Sequence, residues 1–144
     1  MNEFRQARLE KLEKIRELGI DPFGSRFDDV IPVKDARDAF VPPEEGDERE
    51  QPVVRLAGRI SAMRGHGKAG FLDITDRTGR IQVYIKKNNL SEEDFALYKL
   101  FDLADIIGIE GPLFTTRTGE LTIETRSLRI LTKALIPLPR SGTV

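Results

Sequence analysis

The sequence predicts a mainly β fold: a five-stranded Greek-key barrel led by an amphipathic helix. Three observations predict it. Between Val53 and Lys133, five short runs alternate apolar and polar residues, the two-residue period of a half-buried strand. A helix start, Ser91-Glu92-Glu93-Asp94, stands between the third and fourth runs. Ahead of them Leu9, Leu12, Ile15 and Leu18 recur at helical spacing among Arg, Lys and Glu.

The elements follow in order. Residues 1–27 are expected to hold a helix over 3–18 and a turn; Gly19 suits the C-terminal cap and Pro22 blocks continuation. The apolar stripe is narrow, so this helix should dock on something rather than stand alone. Residues 28–52 should hold a short helix near Val33–Phe40, then the acidic, turn-rich stretch Pro42-Pro43-Glu44-Glu45-Gly46-Asp47-Glu48, expected to be a mobile linker. The barrel occupies 53–133. Strand one, 53–64, puts Val54, Leu56, Ile60 and Ala62 on one face, with a bend or bulge expected at Gly58. Strand two covers 69–76, and Arg77-Thr78-Gly79 turns the chain. Strand three, 80–86, buries Ile81, Val83 and Ile85 and turns Gln82, Tyr84 and Lys86 outward. The helix after Ser91 carries Phe95, Leu97, Tyr98 and Leu100. Strand four is expected over 105–117, a turn at Thr118-Gly119, and strand five over 120–131. Apolar parity slips along strand five, from Leu121 and Ile123 to Leu128 and Ile130, which predicts a bulge near Arg126.

Three strands, a helix and two strands is the order of the OB-fold, which binds oligonucleotides or oligosaccharides on the face around strands two and three and in the loops between strands one and two and strands four and five. Candidate binding groups fall on that groove. In Gly70-Phe71-Leu72-Asp73-Ile74-Thr75-Asp76, Leu72 and Ile74 share the inner face, so Phe71 lies outward with Asp73 and Thr75. A large ring on a polar face suits stacking on an unpaired base of single-stranded RNA. Its ordinary alternative is a rim residue covered by the N-terminal helix. Gln82 offers an amide that both donates to and accepts from a base edge. Arg64 and Lys68 in the first loop suit phosphate or a base face, and otherwise form a plain basic loop. Glu120 in the second loop can accept from a base; otherwise it is a hairpin charge pairing Arg117. His66, Tyr84 and Arg117 are expected to support these contacts. Each residue alone is as readily explained as ordinary surface; their agreement on one groove favours nucleic acid.

Composition narrows the classes. The 144 residues contain no cysteine and one histidine, so a disulfide framework, a thiolate metal site and a paired-histidine metal site are excluded. There is no long apolar run and no signal-peptide pattern, so no membrane partner is expected, and the cytoplasm fits. The net charge of −1 conceals an asymmetry. Residues 28–50 carry three basic and nine acidic side chains, whereas 51–144 carry fourteen basic and ten acidic, which suits a polyanion. Gly65-His66-Gly67-Lys68-Ala69-Gly70 matches the dinucleotide-binding glycine pattern, but a strand follows it where that site needs a helix. A phosphate-binding P-loop fails too, because Ala62 and Ala69 occupy the positions of its first Gly and its Ser or Thr. These glycines are expected to let the loop bend close to a ligand.

The stretches Arg8-Leu9-Glu10-Lys11-Leu12, Gly19-Ile20-Asp21-Pro22-Phe23-Gly24, Ala57-Gly58-Arg59-Ile60, Gly67-Lys68-Ala69-Gly70-Phe71, Ile81-Gln82-Val83-Tyr84, Asp105-Ile106-Ile107-Gly108, Thr116-Arg117-Thr118-Gly119-Glu120-Leu121 and Leu131-Thr132-Lys133-Ala134-Leu135-Ile136-Pro137-Leu138-Pro139 closely resemble the N-terminal, anticodon-binding domain of bacterial class II lysyl-tRNA synthetases. The last stretch points to the lysine enzyme more than to its aspartate and asparagine relatives. The resemblance implies that Phe71 stacks on the middle uracil of a U-rich anticodon, that Gln82 and Arg64 hydrogen-bond anticodon bases, that Glu120 reads the third base, and that Lys68 supports them. Ala104 departs from the family, which usually has glycine before Asp105. Residues 134–144 then read as a linker toward a catalytic domain whose motifs the chain lacks. This chain alone is therefore expected to be no enzyme and to use no cofactor, supporting lysine–tRNA ligation only with that domain. The resemblance further implies a parent enzyme that uses ATP and Mg and forms a homodimer, while the isolated domain is expected to be a monomer that binds the tRNA anticodon stem-loop. The alternative is a stand-alone OB-fold for single-stranded RNA or DNA in general.

Overall fold

The computed structural model describes residues 3–23, 27–42 and 51–135, without the side chains of Phe4 and His66. The linker expected at 42–48, beyond its first residue, and the end of the chain from Ile136 lie outside the described residues.

Helix α1 spans Glu3–Glu17. It ends as Gly19 predicts: with φ at 82°, Gly19 lets Ile20 N–H bond Ile15 C=O at 3.3 Å while its own N–H bonds Arg16 C=O at 2.9 Å, a Schellman cap. The buried face differs from the expected leucine stripe. Arg8, Leu12 and Ile15 are buried, Leu9 is half-buried and Leu18 is exposed. Arg8 reaches over the barrel to donate to Leu103 C=O at 2.9 Å and Ala134 C=O at 3.2 Å, so a charged side chain helps dock the helix. Helix α2, Val33–Ala39, begins on the turn after the second strand. Asp76 Oδ2 accepts from Val33 N–H at 2.9 Å, and Thr78 Oγ1 accepts from Lys34 N–H at 3.1 Å. The orphan donors of its first turn are thus satisfied from the barrel rather than from its own N-cap, Pro32.

The barrel strands are β1 Val53–His66, β2 Ala69–Asp76, β3 Gly79–Lys86, β4 Ile106–Thr115, β5 Leu121–Glu124 and β6 Ser127–Thr132. A 3₁₀ turn, Lys87–Asn89, and helix α3, Glu92–Tyr98, join β3 to β4, and Ser91 caps α3 by accepting from Asp94 N–H as expected. The sheet order is β1-β2-β3-β5-β4, and pairing of β1 with β4 closes the ring; β6 extends along β4. Among the described strands, only β3 with β5 is parallel. Inside lie Leu56, Ile60, Leu72, Ile74, Ile81, Val83, Ile85, Ile107, Ile109, Ile123 and Ile130, all fully buried. Each contributes about 1.5–3 kcal/mol by leaving water.

Strand five forms as two pieces because of the bulge expected near Arg126. Thr125 N–H turns to Tyr84 C=O, Arg126 N–H turns to Glu110 C=O, and Leu128 and Ile130 regain the core. The bulge brings Glu124 C=O onto Gly111, where a Cβ would collide with it. In β1 the expectation needs correction. The register slips at Ser61, between Ile60 and Ala62, not at Gly58. Ala62 therefore pairs with Asp73 and faces outward instead of joining Ile60 in the core. Strand one also runs to His66, so Arg64 lies on the strand, not in the loop. The loop is only Gly67-Lys68, with Gly67 at φ 77° in the first position, as a type II′ hairpin turn requires.

Ala104, where the resemblance leads one to expect glycine, has φ of 75° and is buried. A left-handed alanine is strained. Ala104→Gly is expected to stabilise the domain by about 0.5–1 kcal/mol, the relief of strain outweighing the freedom glycine adds to the unfolded chain. A higher urea midpoint checks this; a lower one would show that the lost methyl contact dominates.

Candidate nucleic-acid interface

The bulge at Ser61 builds the outer face. It turns Arg64 to the side that alternation gives Phe71, Asp73, Gln82 and Tyr84, and register pairs Arg64 with Phe71, Asp73 with Gln82, and Phe71 with Tyr84. The face has an aromatic half and a polar half.

The aromatic half is a row of three rings. Phe71 lies 5.1 Å from Tyr84, centroid to centroid, and Tyr84 lies 6.2 Å from Phe114 in an edge-on contact. Phe71 and Tyr84 are each half-buried. With Gly65, Ala69, Gly70, Thr116 and Arg117 the rings line an open cleft of about 460 Å³. Gly70 is bare for an internal reason: the Tyr98 hydroxyl of α3 sits against it and leaves no room for a Cβ. A cleft with flat apolar walls and a cation at its lip accepts an unstacked base.

The polar half is organised by Asp73, which is 6% exposed. Arg64 grips it with two parallel hydrogen bonds, Nη1 to Oδ2 at 3.1 Å and Nη2 to Oδ1 at 2.8 Å, and Arg80 Nη1 approaches Oδ2 at 3.0 Å. Burial works against the charge on Asp73, but the bond to Arg64 and the two guanidinium charges outweigh it and hold the carboxyl below its usual range. The same bond raises the Arg64 pKa further. Arg64 Nη2 also donates to Gln82 Oε1 at 2.9 Å, and Gln82 Nε2 donates to Thr122 Oγ1 at 3.0 Å. Gln82 is thus fixed from both ends, yet keeps one N–H and one lone pair. Glu120 lies in the loop between β4 and β5, where its Oε1 is 3.5 Å from Arg80 Nη2. Its ordinary partner is Arg80, not the Arg117 expected from sequence.

The structure therefore gathers Arg64, Phe71, Gln82, Tyr84, Arg117 and Glu120 on or beside one face. Lys68 is exposed in the hairpin turn at its end. The His66 side chain lies outside the described residues. Sequence reasoning missed Asp73 and Arg80, the polar hub, and Phe114 and Thr122. Alternation beside buried Leu113 could have found Phe114, and the outward parity of β3 could have found Arg80.

Residues 54–131 match the family model of an OB-fold nucleic acid binding domain of the tRNA anticodon type. The chain belongs to this OB-fold nucleic acid binding family. Over 96% of its length it is also similar to proteins named lysine–tRNA ligase: 44% identical to that of Staphylococcus saprophyticus, 46% to that of Staphylococcus haemolyticus and 42% to that of Syntrophomonas wolfei. The chain spans 29% of the length of the two staphylococcal proteins and 27% of the third. Among the described residues, no helix of this OB-fold chain is long and apolar enough to cross a membrane.

Proposed function

We propose that the outer face binds the anticodon loop of tRNA-Lys, and that the chain serves a lysine–tRNA ligase as its anticodon-binding part. The observation that carries this is Gln82 held beside Phe71. A ring supplies a stacking platform, and two register positions along, on the same face, a fixed amide offers one donor and one acceptor. That pair complements the N3–H and a carbonyl of uracil. Phe71 and Gln82 together therefore favour uracil at the middle position, with Arg64 locked onto Asp73 so that its remaining N–H groups meet the base without first being ordered. Glu120 keeps its second oxygen for a base donor at the third position. Lys68 and Arg117 suit flanking phosphates. ATP, Mg and the ligation chemistry belong in this reading to the remainder of the ligase, which works in the cytoplasm.

A carboxylate in the groove separates reading from holding. It repels phosphate, so Glu120→Gln should strengthen a non-specific binder. If Glu120 accepts from the third base, the same change weakens the cognate stem-loop and narrows its margin over a loop altered at that base. Affinities for the two loops at two salt concentrations decide. Uniformly tighter binding with unchanged discrimination would leave a general single-strand binder.

A further inference from the structure

The outer face of β3 runs Arg80, Gln82, Tyr84, Lys86. Its first cation is neutralised by Asp73 and Glu120, as described; its last is not. Beyond Tyr84 lysines gather, and among the described residues the acidic first turn of α3, Glu92 to Asp94, forms no ion pair with them. Lys86 pairs in register with Ala69, next to Lys68 in the hairpin turn, and Lys87 N–H bonds Lys68 C=O at 2.8 Å, which ties the start of the 3₁₀ turn to that hairpin. The Lys87 and Lys99 ammoniums both lie over the Phe95 ring, 5.7 Å and 5.0 Å from its centroid. All four lysines are exposed, and none has an ion-pair partner among the described residues. Glu124, which pairs with Tyr84 in register, is engaged by Asn89 at 3.1 Å and Arg126 at 3.7 Å. Gathering four like charges opposes folding unless something anionic covers them.

The strip also lacks what the reading face has. Phe95 and Tyr98 are buried, at 6% and 7% exposure, so no ring is open for stacking. Cations without a base platform suit a strand whose bases are already paired and whose phosphates face outward, as in an A-form helix. We propose that Lys86, Lys87 and Lys99 hold the phosphates of the double-stranded stem that carries the anticodon loop, with Lys68 in the adjoining hairpin at the junction of loop and stem. This rests on the anticodon reading above and extends it from three bases to the adjoining helix.

The test compares an anticodon stem-loop with a linear oligonucleotide of the same loop sequence, each titrated by fluorescence anisotropy over a range of salt. The variant K86Q/K87Q/K99Q removes charge but keeps most of the stem that covers Phe95. For the stem-loop, the slope of log affinity against log salt should become shallower by about 2–3, near one unit per lost phosphate contact. Affinity for the linear oligonucleotide should change little, and the corresponding triple arginine variant should keep the wild-type slope. An unchanged slope for the stem-loop would overturn the proposal, as would equal loss on both RNAs, which would place the lysines on the loop strand. If the wild-type protein binds neither RNA, the anticodon reading itself fails and the stem contact with it.

Discussion

Replacing Lys133 with methionine is expected to destabilise the domain by about 3–5 kcal/mol, a large share of the roughly 5–15 kcal/mol that holds a domain folded. The side chain is fully buried just past the end of β6, and its ammonium spends all three protons: Asp105 Oδ2 at 2.7 Å, Asp102 Oδ2 at 2.8 Å and Leu100 C=O at 3.2 Å. Asp102 also takes Lys11 of α1 at 2.7 Å, so one charge network ties the leading helix, the loop before β4 and the end of β6. Without Lys133 the buried Asp105 loses its counter-charge and keeps only the N–H groups of Asp102 and Ala134. Urea unfolding should show a much lower midpoint at unchanged slope. Adding Asp105→Asn should recover part of the loss, because the stranded charge goes with it. A loss below 1 kcal/mol would mean that water reaches the site.

The second large effect is on binding. Phe71→Ala should weaken binding of the anticodon stem-loop about ten- to hundredfold, since base–aromatic stacking contributes roughly 1–3 kcal/mol. The ring is outside the core and rests on Tyr84, so the fold should survive with a nearly unchanged urea midpoint. Phe71→Tyr keeps the platform and should restore most of the affinity. Intact binding by the alanine variant, or its unfolding, would make Phe71 a packing residue and remove the stacking role.

How far these sites could be read from sequence follows from how local each cause is. Ile81, Val83 and Ile85 alternate without interruption, and all three are in the core. The slip at Thr125–Arg126 showed itself because apolar residues stand on both sides of it. The bulge at Ser61 left no such mark. Ala62 is small enough for either face, and Gly58 drew attention to the wrong residue, although that bulge is what turns Arg64 toward Phe71. Asp73 looked like one more outward polar residue. Its arginines come from two neighbouring strands, and only the register brings both guanidiniums onto one carboxylate. Lys133 belonged to a recognisable stretch of sequence, yet nothing local announces a buried ammonium whose partners lie about thirty residues earlier. Ala104 likewise stood out only as a missing glycine until its backbone showed the left-handed turn that a glycine would ease.

On the proposal made above, the face built from the end of β1, β2, β3 and the loop between β4 and β5 reads the anticodon. The most direct measurement is a map of backbone amide shifts in isotope-labelled protein as an anticodon stem-loop is added. Shifts are expected to concentrate at residues 64–73, 80–87 and 114–122, and to be smaller when the middle base is changed from uracil. Shifts centred instead on the groove lined by Val30, Ile31, Pro32, Ala57, Asp76 and Arg77, or a pattern indifferent to the anticodon bases, would contradict it.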